Sequence, residues 1–589
     1  MSGGFHERLL VQDLIDALWL EDLHGFRNHA RIVDHDAGEG ASLVIALGRA
    51  GELHACGRRL LGIRPLAVQD ATLTLRRDGA ETTVDGTDAL AALQGADWWP
   101  HCSERLRALF ELARAQSAHT FDHEDAIVEK ARAAPDVLMH WEALTCLRDR
   151  PFHPLARAKG WGNKARPDTP GYHTETGQPL QLRWVALPRN QVRGSARVPE
   201  TGQPIAKALL NPHAFERLHT WAETARTDAS HLWFPMHPWQ RHHLSGMSWI
   251  DLGSHGNAWP TASLRSMAVP DSSEPYPLHV KLSLSVQALG ATRTLPPRYL
   301  HNGVQAQTCL ARLQARDAWL DQYLFLCDEQ DWWSLRQHDV LTREPGELAC
   351  LLRRYPAPEQ LPPGSWLMPM AACAAVTTDG ELPALRALGA NDSQQAWDWF
   401  RRISHLLLEA GLRCFAHGVM PELHGQNVLL VIAPTESGPG LHGLVLRDHD
   451  TLRICPALMA DAGVPAPDYA IDRSTPNTLI LDAPDALLAY LQTLGICVNL
   501  FAMAVAIADA YEADENTGWR IVRERIDALL REGVIARPHV AAIVRNALLE
   551  ADTWPFKQVL APLLARETIG TGMPSAMGRL PNPLRQPEP

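Results

Sequence analysis

Two short polar stretches of this sequence have residue types suited to chemistry and stand at the two ends of a predicted hairpin. The first, 422–427 (Glu-Leu-His-Gly-Gln-Asn), runs directly into an apolar strand, and the second, 447–450 (Arg-Asp-His-Asp), follows the predicted return strand. A hairpin brings its two ends together, so we expect His424, Asn427 and Asp448 to share one site. Amide and carboxylate oxygens suit Mg²⁺ held together with nucleotide phosphates. The alternative interpretation is a polar turn, because Asn and Asp are common turn residues.

Upstream of this hairpin, cationic residues stand where an anion could be bound. Ser263 and Arg265 lie two apart, so on an extended chain they point to one face, where a hydroxyl and a guanidinium make a phosphate clamp. Lys281 lies inside an alternating apolar strand, in which an unpaired ammonium is costly, and Arg293 follows at a predicted strand end. A triphosphate or a polycarboxylate would supply the anion that two such cations need. The alternatives are an exposed turn for the first pair and surface cations for the second.

A third basic stretch, residues 153–160, holds His153, Arg157 and Lys159 in a loop that contains a proline. Taken alone, it is an ordinary basic loop. A second His-Pro element, 237–240, is better interpreted as a packed turn. The sequence contains neither a GxxxxGK[ST] phosphate loop nor a GxSxG nucleophile elbow, so any nucleotide must be held in another way.

Taken in chain order, these elements resemble the IucA/IucC family, the synthetases that build siderophores without a nonribosomal peptide template. The resemblance runs from about residue 135 to the end of the sequence, and its specificity comes from the order and spacing of several short elements. It implies an ATP-dependent ligase that adenylates a polycarboxylic acid, above all citrate or a citrate derivative, and condenses the adenylate with an amine or alcohol. ATP and Mg²⁺ would be the cofactors, and AMP and pyrophosphate would be released. Homodimers are common in the family.

The resemblance also implies roles for individual residues. By motif match, phosphate would be bound by Ser263, Arg265 and Lys281; nucleotide by Glu422, Gln426, Asn427 and Asp448; metal by Asn427, Asp448 and Asp450; and the acid by His153, Arg157, Lys159, Arg293 and His424. Lys281, Arg293 and His424 are the expected catalytic residues. Two departures from the family's pattern, Arg150 in place of a histidine and Leu289 in place of a threonine, both fall in the expected acid pocket.

Two alternative functions stay open. The run of His-Gly, Asn and Asp-x-Asp also resembles the catalytic stretch of small-molecule kinases, in which the aspartates bind Mg²⁺ and the γ-phosphate is transferred. The kinase Gly-rich loop and the upstream Lys–Glu signature are not visible in the sequence, which counts against that phosphotransferase. The other alternative is a non-enzymatic carrier that binds iron-citrate.

The composition is that of a globular protein, with 46% apolar and 21% charged residues. A net charge of −12 disfavours a nucleic-acid partner and requires a local cationic site for any anionic substrate. Ten cysteines form no CxxC pair, so neither a zinc site nor a disulfide framework is indicated. The sequence does not open on a cationic-then-apolar leader, and we expect a cytoplasmic protein. The uncharged segment 486–508 lacks a basic flank, so we expect one or two buried helices and no membrane partner.

The pattern of elements predicts an α+β fold with mixed or antiparallel sheets and a helical C-terminal region, and the resemblance implies a multi-lobed cradle of thumb, fingers and palm. Residues 1–140 are expected to form a thumb-like, mainly helical part. Residues 141–400 would form a fingers-like mixed α/β part that carries the phosphate-binding residues. Residues 401–589 would form a palm-like part with the polar hairpin and the C-terminal helices.

Periodicity predicts the individual elements. Strands are expected within 71–84, 278–286, 428–432 and 443–446, and helices over 103–118, 317–326, 403–411 and 516–533. The residues from about 570 onward are rich in Pro, Gly and Arg, a composition that indicates a loose tail. Asn582-Pro583-Leu584, however, resembles the family's ending and indicates an anchored one.

Overall fold

The chain forms a mixed α/β fold in which one strand ladder is parallel and the other described ladders are antiparallel. The computed structural model describes residues 2–35, 40–60, 62–148, 150–161, 170–195, 201–244, 247, 249–274, 277–473, 478–566, 570, 572 and 574–585. Within these ranges the helices are α1 (Ser2–Glu21), α2 (Gly86–Gln94), α3 (Glu104–Phe121), α4 (Glu124–Ala133), α5 (Leu138–Leu144), α6 (Pro204–Leu209), α7 (Pro212–Thr224), α8 (Pro297–Gln314), α9 (Ala318–Tyr323), α10 (Pro383–Ala387), α11 (Ser393–Ala416), α12 (Pro456–Asp461), α13 (Pro484–Tyr490), α14 (Phe501–Ala510), α15 (Asn516–Arg531), α16 (Pro538–Arg545) and α17 (Leu560–Ala565).

The strands of the same ranges are β1 (Ala30–Asp34), β2 (Ala41–Ala46), β3 (Glu52–Arg59), β4 (Leu66–Val68), β5 (Leu73–Arg77), β6 (Ala80–Val84), β7 (Leu180–Pro188), β8 (Val192–Gly194), β9 (His231–Met236), β10 (Ile250–Pro260), β11 (Ser266–Ala268), β12 (Leu278–Leu282), β13 (Gln287–Ala288), β14 (Ala291–Thr292), β15 (Leu324–Leu326), β16 (Asp328–Leu335), β17 (Ala349–Arg354), β18 (Trp366–Pro369), β19 (Val419–Met420), β20 (Val428–Thr435), β21 (Gly438–Leu446), β22 (Arg453–Ile454), β23 (Thr553–Gln558) and β24 (Ala576–Pro581). They form three larger sheets and several small ladders.

The N-terminal region contains more sheet than its sequence indicated. Besides helices α1 to α4 it contains a six-stranded antiparallel sheet, with the strand order β1-β2-β3-β5-β6 and with β4 paired to β3. The predicted hairpin within 71–84 is confirmed as β5 and β6. The predicted helix over 103–118 is confirmed as α3, and the Ser103 side chain accepts a hydrogen bond from the Leu106 N–H at its start.

The middle region is built on an eight-stranded sheet in the order β8-β16-β17-β12-β11-β10-β7-β9. The central strand β12 carries Lys281 and pairs with β11 and β17. His279 lies opposite Arg353 of β17, so Lys281 and Arg353 project from the same face of the sheet. This strand ends at Leu282, four residues earlier than its sequence predicted. The predicted helix over 317–326 is only α9, after which the chain continues as β15.

The C-terminal region places the polar hairpin on a four-stranded sheet in the order β15-β21-β20-β18. The two strands predicted around 428–446 are confirmed as β20 and β21, and both are longer than predicted. The prediction that a helix ends at Gly411 is wrong, because α11 runs through that glycine to Ala416. A Cβ at Gly411 would lie 2.8 Å from Leu491 Cδ1, so the glycine serves close helix packing rather than helix termination.

One helical stretch, Pro484–Ala510, is long and apolar enough to cross a membrane by length and composition. It consists of α13, a π-helical segment at Leu491–Leu500, and α14. Of its most apolar window, 94% is buried inside the fold. The stretch therefore serves as a core helix in the described structure, as the sequence indicated.

The described part of the C-terminal tail is anchored, as the family resemblance implied and composition did not. Strand β24 pairs with β23 along its whole length. Beyond it, Asn582 donates from Nδ2 to the Ala551 carbonyl at 2.8 Å, and its Oδ1 accepts the Leu584 N–H at 2.9 Å. Satisfied hydrogen bonds of a buried amide outweigh the loose composition here.

Candidate active site

A cavity of about 390 Å³ with many charged side chains on its lining lies between the middle and C-terminal regions of the chain. Its charged and polar lining consists of Arg148, Arg150, Arg265, Lys281, Arg293, Glu422, His424, Gln426, Asn427, Asp448, Asp450, Thr451, Thr478, Tyr490, Asn499, Arg453, Lys557 and Ser575. Of the site residues predicted from the sequence, the fold brings nine together on this lining: Arg265, Lys281, Arg293, Glu422, His424, Gln426, Asn427, Asp448 and Asp450. Arg150 and Leu289, the two departures from the family's pattern, line the same cavity.

The hairpin closes the site in the way its spacing predicted. Val428 pairs with Leu446, so the residues just outside the ladder are neighbours, and the Arg447 N–H donates to the Asn427 carbonyl at 3.1 Å. Asp448 then adopts a left-handed conformation with φ of 59°, which turns the chain sharply after the strand. The expected meeting of the 422–427 and 447–450 stretches is therefore confirmed.

Asp448 holds together the cations of the middle sheet. Lys281 Nζ lies 2.5 Å from Asp448 Oδ1, and Arg353 donates to the same oxygen. Glu329 of β16 completes the cluster, because it accepts the Arg353 Nε–H at 2.5 Å and the Asp448 N–H at 2.9 Å. Burial opposes ionisation of Asp448, but Arg353 and Lys281 outweigh it and hold the pKa of that carboxyl well below its usual range. Asp448 thus orients Lys281 toward the cavity.

Asp450 and Asn427 have the properties of ligands for a hard cation. Burial raises the pKa of Asp450 although Lys281 opposes the rise, and the nearby Asp448 and Glu329 carboxylates add to it. Asn427 donates from Nδ2 to Glu422 at 3.4 Å, while its buried Oδ1 accepts no hydrogen bond from the part of the chain that the structure describes. An orphaned amide oxygen beside an undercompensated carboxylate fits Mg²⁺, which takes few protein ligands and completes its shell with phosphate and water.

The described residues contain no cluster of three or more His, Cys, Asp or Glu side chains placed to hold a metal ion by themselves. Two kinds of metal site must therefore be distinguished. A protein-only cage is absent from the described part of the chain, whereas a mixed set of one amide, one or two carboxylates and nucleotide phosphates remains compatible with the geometry.

Ser263 and Arg265 have different positions although both belong to the predicted phosphate clamp. Ser263 Oγ accepts the Ser266 N–H at 3.2 Å and lies 3.1 Å from Thr261 Oγ1, so it fastens the turn and is not on the cavity lining. Arg265 lies on the lining and donates to the Thr294 carbonyl at 2.8 Å. Burial lowers the pKa of its guanidinium, which indicates a cation that an anionic ligand would stabilise.

His424, Glu422 and Lys557 form a mixed group on the cavity lining. Burial lowers the pKa of His424 to about 4, so its imidazole is neutral at physiological pH. Burial opposes ionisation of Glu422, but Arg453 and the neighbouring His424 outweigh it and lower its pKa to about 2. Burial also lowers the pKa of the Lys557 ammonium to about 8. Two cations and a carboxylate therefore flank a neutral histidine.

The hydrogen bonds of His424 fix its tautomer. Its Nδ1 accepts the Gln426 N–H at 3.2 Å, so in the neutral ring the proton sits on Nε2. That Nε2 lies 3.9 Å from Glu422 Oε2, at the cavity wall. The histidine is thereby set up to donate a hydrogen bond to a bound oxygen.

His153, Arg157 and Lys159 are not on the lining of the main cavity, although the sequence placed them in the acid site. Arg157 donates to Glu175 and, at 3.0 Å, to Thr120 Oγ1. The backbone N–H of Lys159 donates to Gln116 at 2.9 Å. His153 is 2% exposed and lines a small neighbouring cavity of about 30 Å³ that it shares with Arg148 and Arg150. His153 and Arg157 thus line a separate small cavity that shares Arg148 and Arg150 with the main cavity.

Several site residues are not evident from the sequence. Arg353 lies in the apolar strand β17 as Lys281 lies in β12, so the argument from a buried strand cation could have found it. Lys557 and Arg148 come from elements far apart in the chain and carry no motif, so only the fold reveals them.

Two buried histidines give the fold an expected sensitivity to acid. His153 and His237 are 2% and 1% exposed, and burial lowers the pKa of each to about 3. The unfolded chain therefore binds more protons between about pH 6.5 and pH 3, and stability falls as the pH drops through that window. Each histidine steepens the loss by up to about 1.4 kcal/mol per pH unit.

Chemical denaturation between about pH 7 and pH 5 measures this effect. His237→Gln should flatten the dependence of the unfolding free energy on pH relative to the unaltered chain. An exposed histidine, His242, supplies the control, because its replacement by Gln should leave the slope unchanged. Equal slopes for His237→Gln and the unaltered chain would contradict the prediction.

Comparison with known proteins gives this fold and site a context. A model of the IucA / IucC family matches residues 137–375, and one described as a ferric iron reductase FhuF-like transporter matches residues 397–568. Staphyloferrin B synthase of Staphylococcus aureus is 29% identical over 98% of this chain and 98% of its own length. A citryl-spermidine/3,4-dihydroxybenzoyl-citryl-spermidine:spermidine ligase of Bacillus anthracis is 23% identical over 74% of this chain and 70% of its own.

Solved structures share the architecture throughout. The petrobactin biosynthesis protein AsbB of Bacillus anthracis has a TM-score of 0.74 and 18% identity, and the match covers 98% of this chain and 95% of AsbB. The ATP-bound aerobactin synthetase IucA of Klebsiella pneumoniae has a TM-score of 0.70 and 20% identity, with 97% and 99% of the two chains covered. The chain therefore has the fold of these two biosynthetic proteins.

The family model and the named relatives confirm the resemblance to the IucA/IucC siderophore synthetases that the motifs indicated, and the chain is a ligase of that class. The staphylococcal and Bacillus relatives are a synthase and a ligase, and they give no support to the phosphotransferase alternative.

Proposed function

We propose that this chain uses ATP and Mg²⁺ to convert one carboxyl group of citrate, or of a citrate derivative, into an acyl-adenylate, and then condenses it with an amine or an alcohol. The observation that carries the proposal is the charge of the cavity. Seven cationic side chains line it (Arg148, Arg150, Arg265, Lys281, Arg293, Arg453 and Lys557), against three carboxylates (Glu422, Asp448 and Asp450). In a chain of net charge −12, such an excess favours two polyanions bound together.

The cavity has a phosphate end and an acid end in this proposal. Lys281 and Arg265 bind phosphates, and Ser263 holds the turn that carries Arg265. Glu422 and Gln426 position the nucleotide. The proposed protein ligands of Mg²⁺ are Asn427, Asp450 and the carboxylate oxygen of Asp448 that does not contact Lys281. The bound ion would offset charge on the phosphates. Arg293 and His424 bind the carboxylate that reacts.

Electrostatics gives these residues their catalytic effect. The carboxylate oxygen must approach the α-phosphate of ATP, and two anions repel each other unless fixed cations stand beside them. Lys281, Arg265 and Arg293 are held by the fold before substrate binds, so they stabilise the charge that builds on the leaving pyrophosphate without reorganising. The amine then attacks the adenylate at short range, which replaces a bimolecular encounter by a local one.

We extend the proposal to architecture and setting. The three regions would correspond to a cradle, with 1–140 as the thumb, 141–400 as the fingers and 401–589 as the palm. The match to solved synthetases over nearly the whole chain supports this division. The ATP-bound state of the Klebsiella enzyme supports ATP as the nucleotide. We further propose action in the cytoplasm, without a membrane or nucleic-acid partner, and a homodimeric assembly.

The products of the reaction test the function. With ATP, Mg²⁺, citrate and a panel of diamines and amino alcohols, we expect AMP and pyrophosphate together with a condensed product of the corresponding mass. Exchange of labelled pyrophosphate into ATP should depend on the acid alone. Release of ADP and phosphate would contradict adenylation, and exchange that ignores the acid would contradict the proposed substrate class. Binding of ferric citrate without any turnover would favour the carrier alternative.

A further inference from the structure

Helix α1 contributes no residue to the cavity lining among the described residues. Two of its side chains nevertheless bind chain segments that carry cations into the cavity. The first attachment is Asp13, which is 5% exposed. Arg148 Nη1 donates to Asp13 Oδ2 at 2.6 Å and Arg148 Nη2 donates to Oδ1 at 2.8 Å, a bidentate pair. Asp13 Oδ1 also accepts the Phe152 N–H at 2.8 Å. One carboxylate therefore holds the chain on both sides of Arg150.

The conformation of Phe152 shows why such an attachment is needed. Its φ of 63° lies in the left-handed region, which is unfavourable for a bulky side chain. The ring stacks on Phe501 at a centroid distance of 5.4 Å, and Asp13 accepts the backbone N–H. Such backbone persists only where the surroundings determine it. Arg148 and Arg150, which line the cavity, keep their places through these contacts.

The second attachment is Glu21, at the C-terminal end of the same helix. Its carboxylate accepts the N–H groups of Val559 at 2.8 Å, Leu560 at 2.9 Å and Ala561 at 2.9 Å. These bonds fix the chain directly after β23, the strand that carries Lys557 into the cavity. Glu21 also lies within the electrostatic influence of Arg150.

We propose that Asp13 and Glu21 are positioning residues for acid recognition: α1 sets the spacing between Arg148, Arg150 and Lys557 and thereby the fit of the carboxylate substrate. The inference rests on the proposed function. It assigns the N-terminal region a part in substrate binding, although none of its side chains from the first hundred residues lines the cavity among the described residues. A purely structural role would affect the nucleotide and acid sites alike.

The helix supplies its own control. Glu7, also on α1, pairs with Arg114 of α3 at 2.6 Å, and neither residue lines the cavity. Glu7→Gln therefore removes an ion pair from the same helix without touching an attachment to the site. Asp13→Asn and Glu21→Gln keep the shape of each side chain and remove its charge.

Acid-dependent pyrophosphate exchange, measured at varied acid and varied ATP, tests the inference. Asp13→Asn should raise the KM for the acid about 10-fold and leave the KM for ATP within about 2-fold, because small displacements of positioning groups have large effects. Glu21→Gln should behave in the same direction, and Glu7→Gln should match the unaltered chain. Unchanged acid KM in Asp13→Asn, or equal rises in both KM values, would overturn the inference.

A second variant covers the case in which Asp13→Asn does not fold. Arg148→Lys keeps the positive charge and loses the bidentate pair, and it should raise the acid KM in the same selective way. A normal acid KM in that variant would overturn the inference. If the unaltered chain showed no exchange at all, the proposed function itself would fail, which these variants do not decide.

Discussion

Replacement of Lys281 by methionine is expected to lower acid-dependent pyrophosphate exchange by about 100- to 1000-fold, the usual cost of removing one fixed donor to developing charge. Lys281 is buried in β12, and its ammonium is aimed by Asp448 at the cavity. Methionine retains much of the apolar stem and removes the charge. The loss should appear in the rate at saturating substrate, because in the proposed reaction the ammonium acts on charge that grows as pyrophosphate leaves.

The fold should survive this change. Asp448 keeps its contact with Arg353, and Glu329 still accepts the Asp448 N–H, so no carboxylate in the cluster is left unpaired. Thermal unfolding should therefore occur close to the temperature of the unaltered chain. Lys207→Met, at an exposed position, provides the control for loss of a lysine. Near-normal exchange in Lys281→Met would remove this residue from the site.

Removal of Asp448, the carboxylate partner of Lys281, is expected to affect the fold as well. Asp448→Ala leaves both Lys281 and Arg353 buried without that carboxylate, and breaking a buried ion pair costs about 3–5 kcal/mol. That variant should lose stability as well as activity. Comparison of Lys281→Met with Asp448→Ala therefore distinguishes a charge that acts on the substrate from a charge that stabilises the site.

The central part of the site could be predicted from the sequence because two local rules determine it. Asn427 and Asp448 lie at the ends of a hairpin, and strand pairing brings such ends together whatever surrounds them. Lys281 alternates with apolar residues, and a buried ammonium requires an anion. The sequence did not identify that anion: it is Asp448 of the hairpin, paired across 167 residues of chain.

The acid end was less predictable because tertiary packing assembles it. Lys557 arrives on a C-terminal strand and Arg148 on a short helical turn, with no fixed spacing between them. His153 and Arg157 matched the family's motif, yet Arg157 is occupied by Glu175 and both line the separate small cavity. A motif fixes the order of residues along the chain, whereas the partners that occupy a side chain depend on the whole fold.

Where the fold differs from its prediction, the physical causes are similar. Gly411 has the sequence character of a helix end, but the missing Cβ is needed for contact with Leu491, a residue 80 positions away. The sequence also indicates less N-terminal sheet than the fold contains. Strands β1, β2 and β3 are stabilised by pairing with one another, and the periodicity of a local segment is a weak signal of such pairing.

His424→Ala is expected to lower exchange about 100-fold, since in the proposed reaction the neutral ring supplies an N–H donor to the reacting carboxylate. The hydrogen bond from Gln426 leaves the proton on Nε2. With a pKa of about 4, the imidazole keeps this form throughout the range from about pH 6 to pH 8. The contribution of His424 should therefore be independent of pH there.

His424→Gln distinguishes a donor from a base. Glutamine can place an amide N–H near the position of Nε2–H but cannot take up a proton, so it should restore a substantial part of the activity lost in His424→Ala. Exchange rates of both variants across about pH 6 to pH 8 provide the measurement. If the histidine instead took a proton from the attacking amine, pyrophosphate exchange, which needs no amine, would stay near normal in both variants and only formation of the condensed product would fall. A partial rescue with a parallel pH profile would support hydrogen-bond donation.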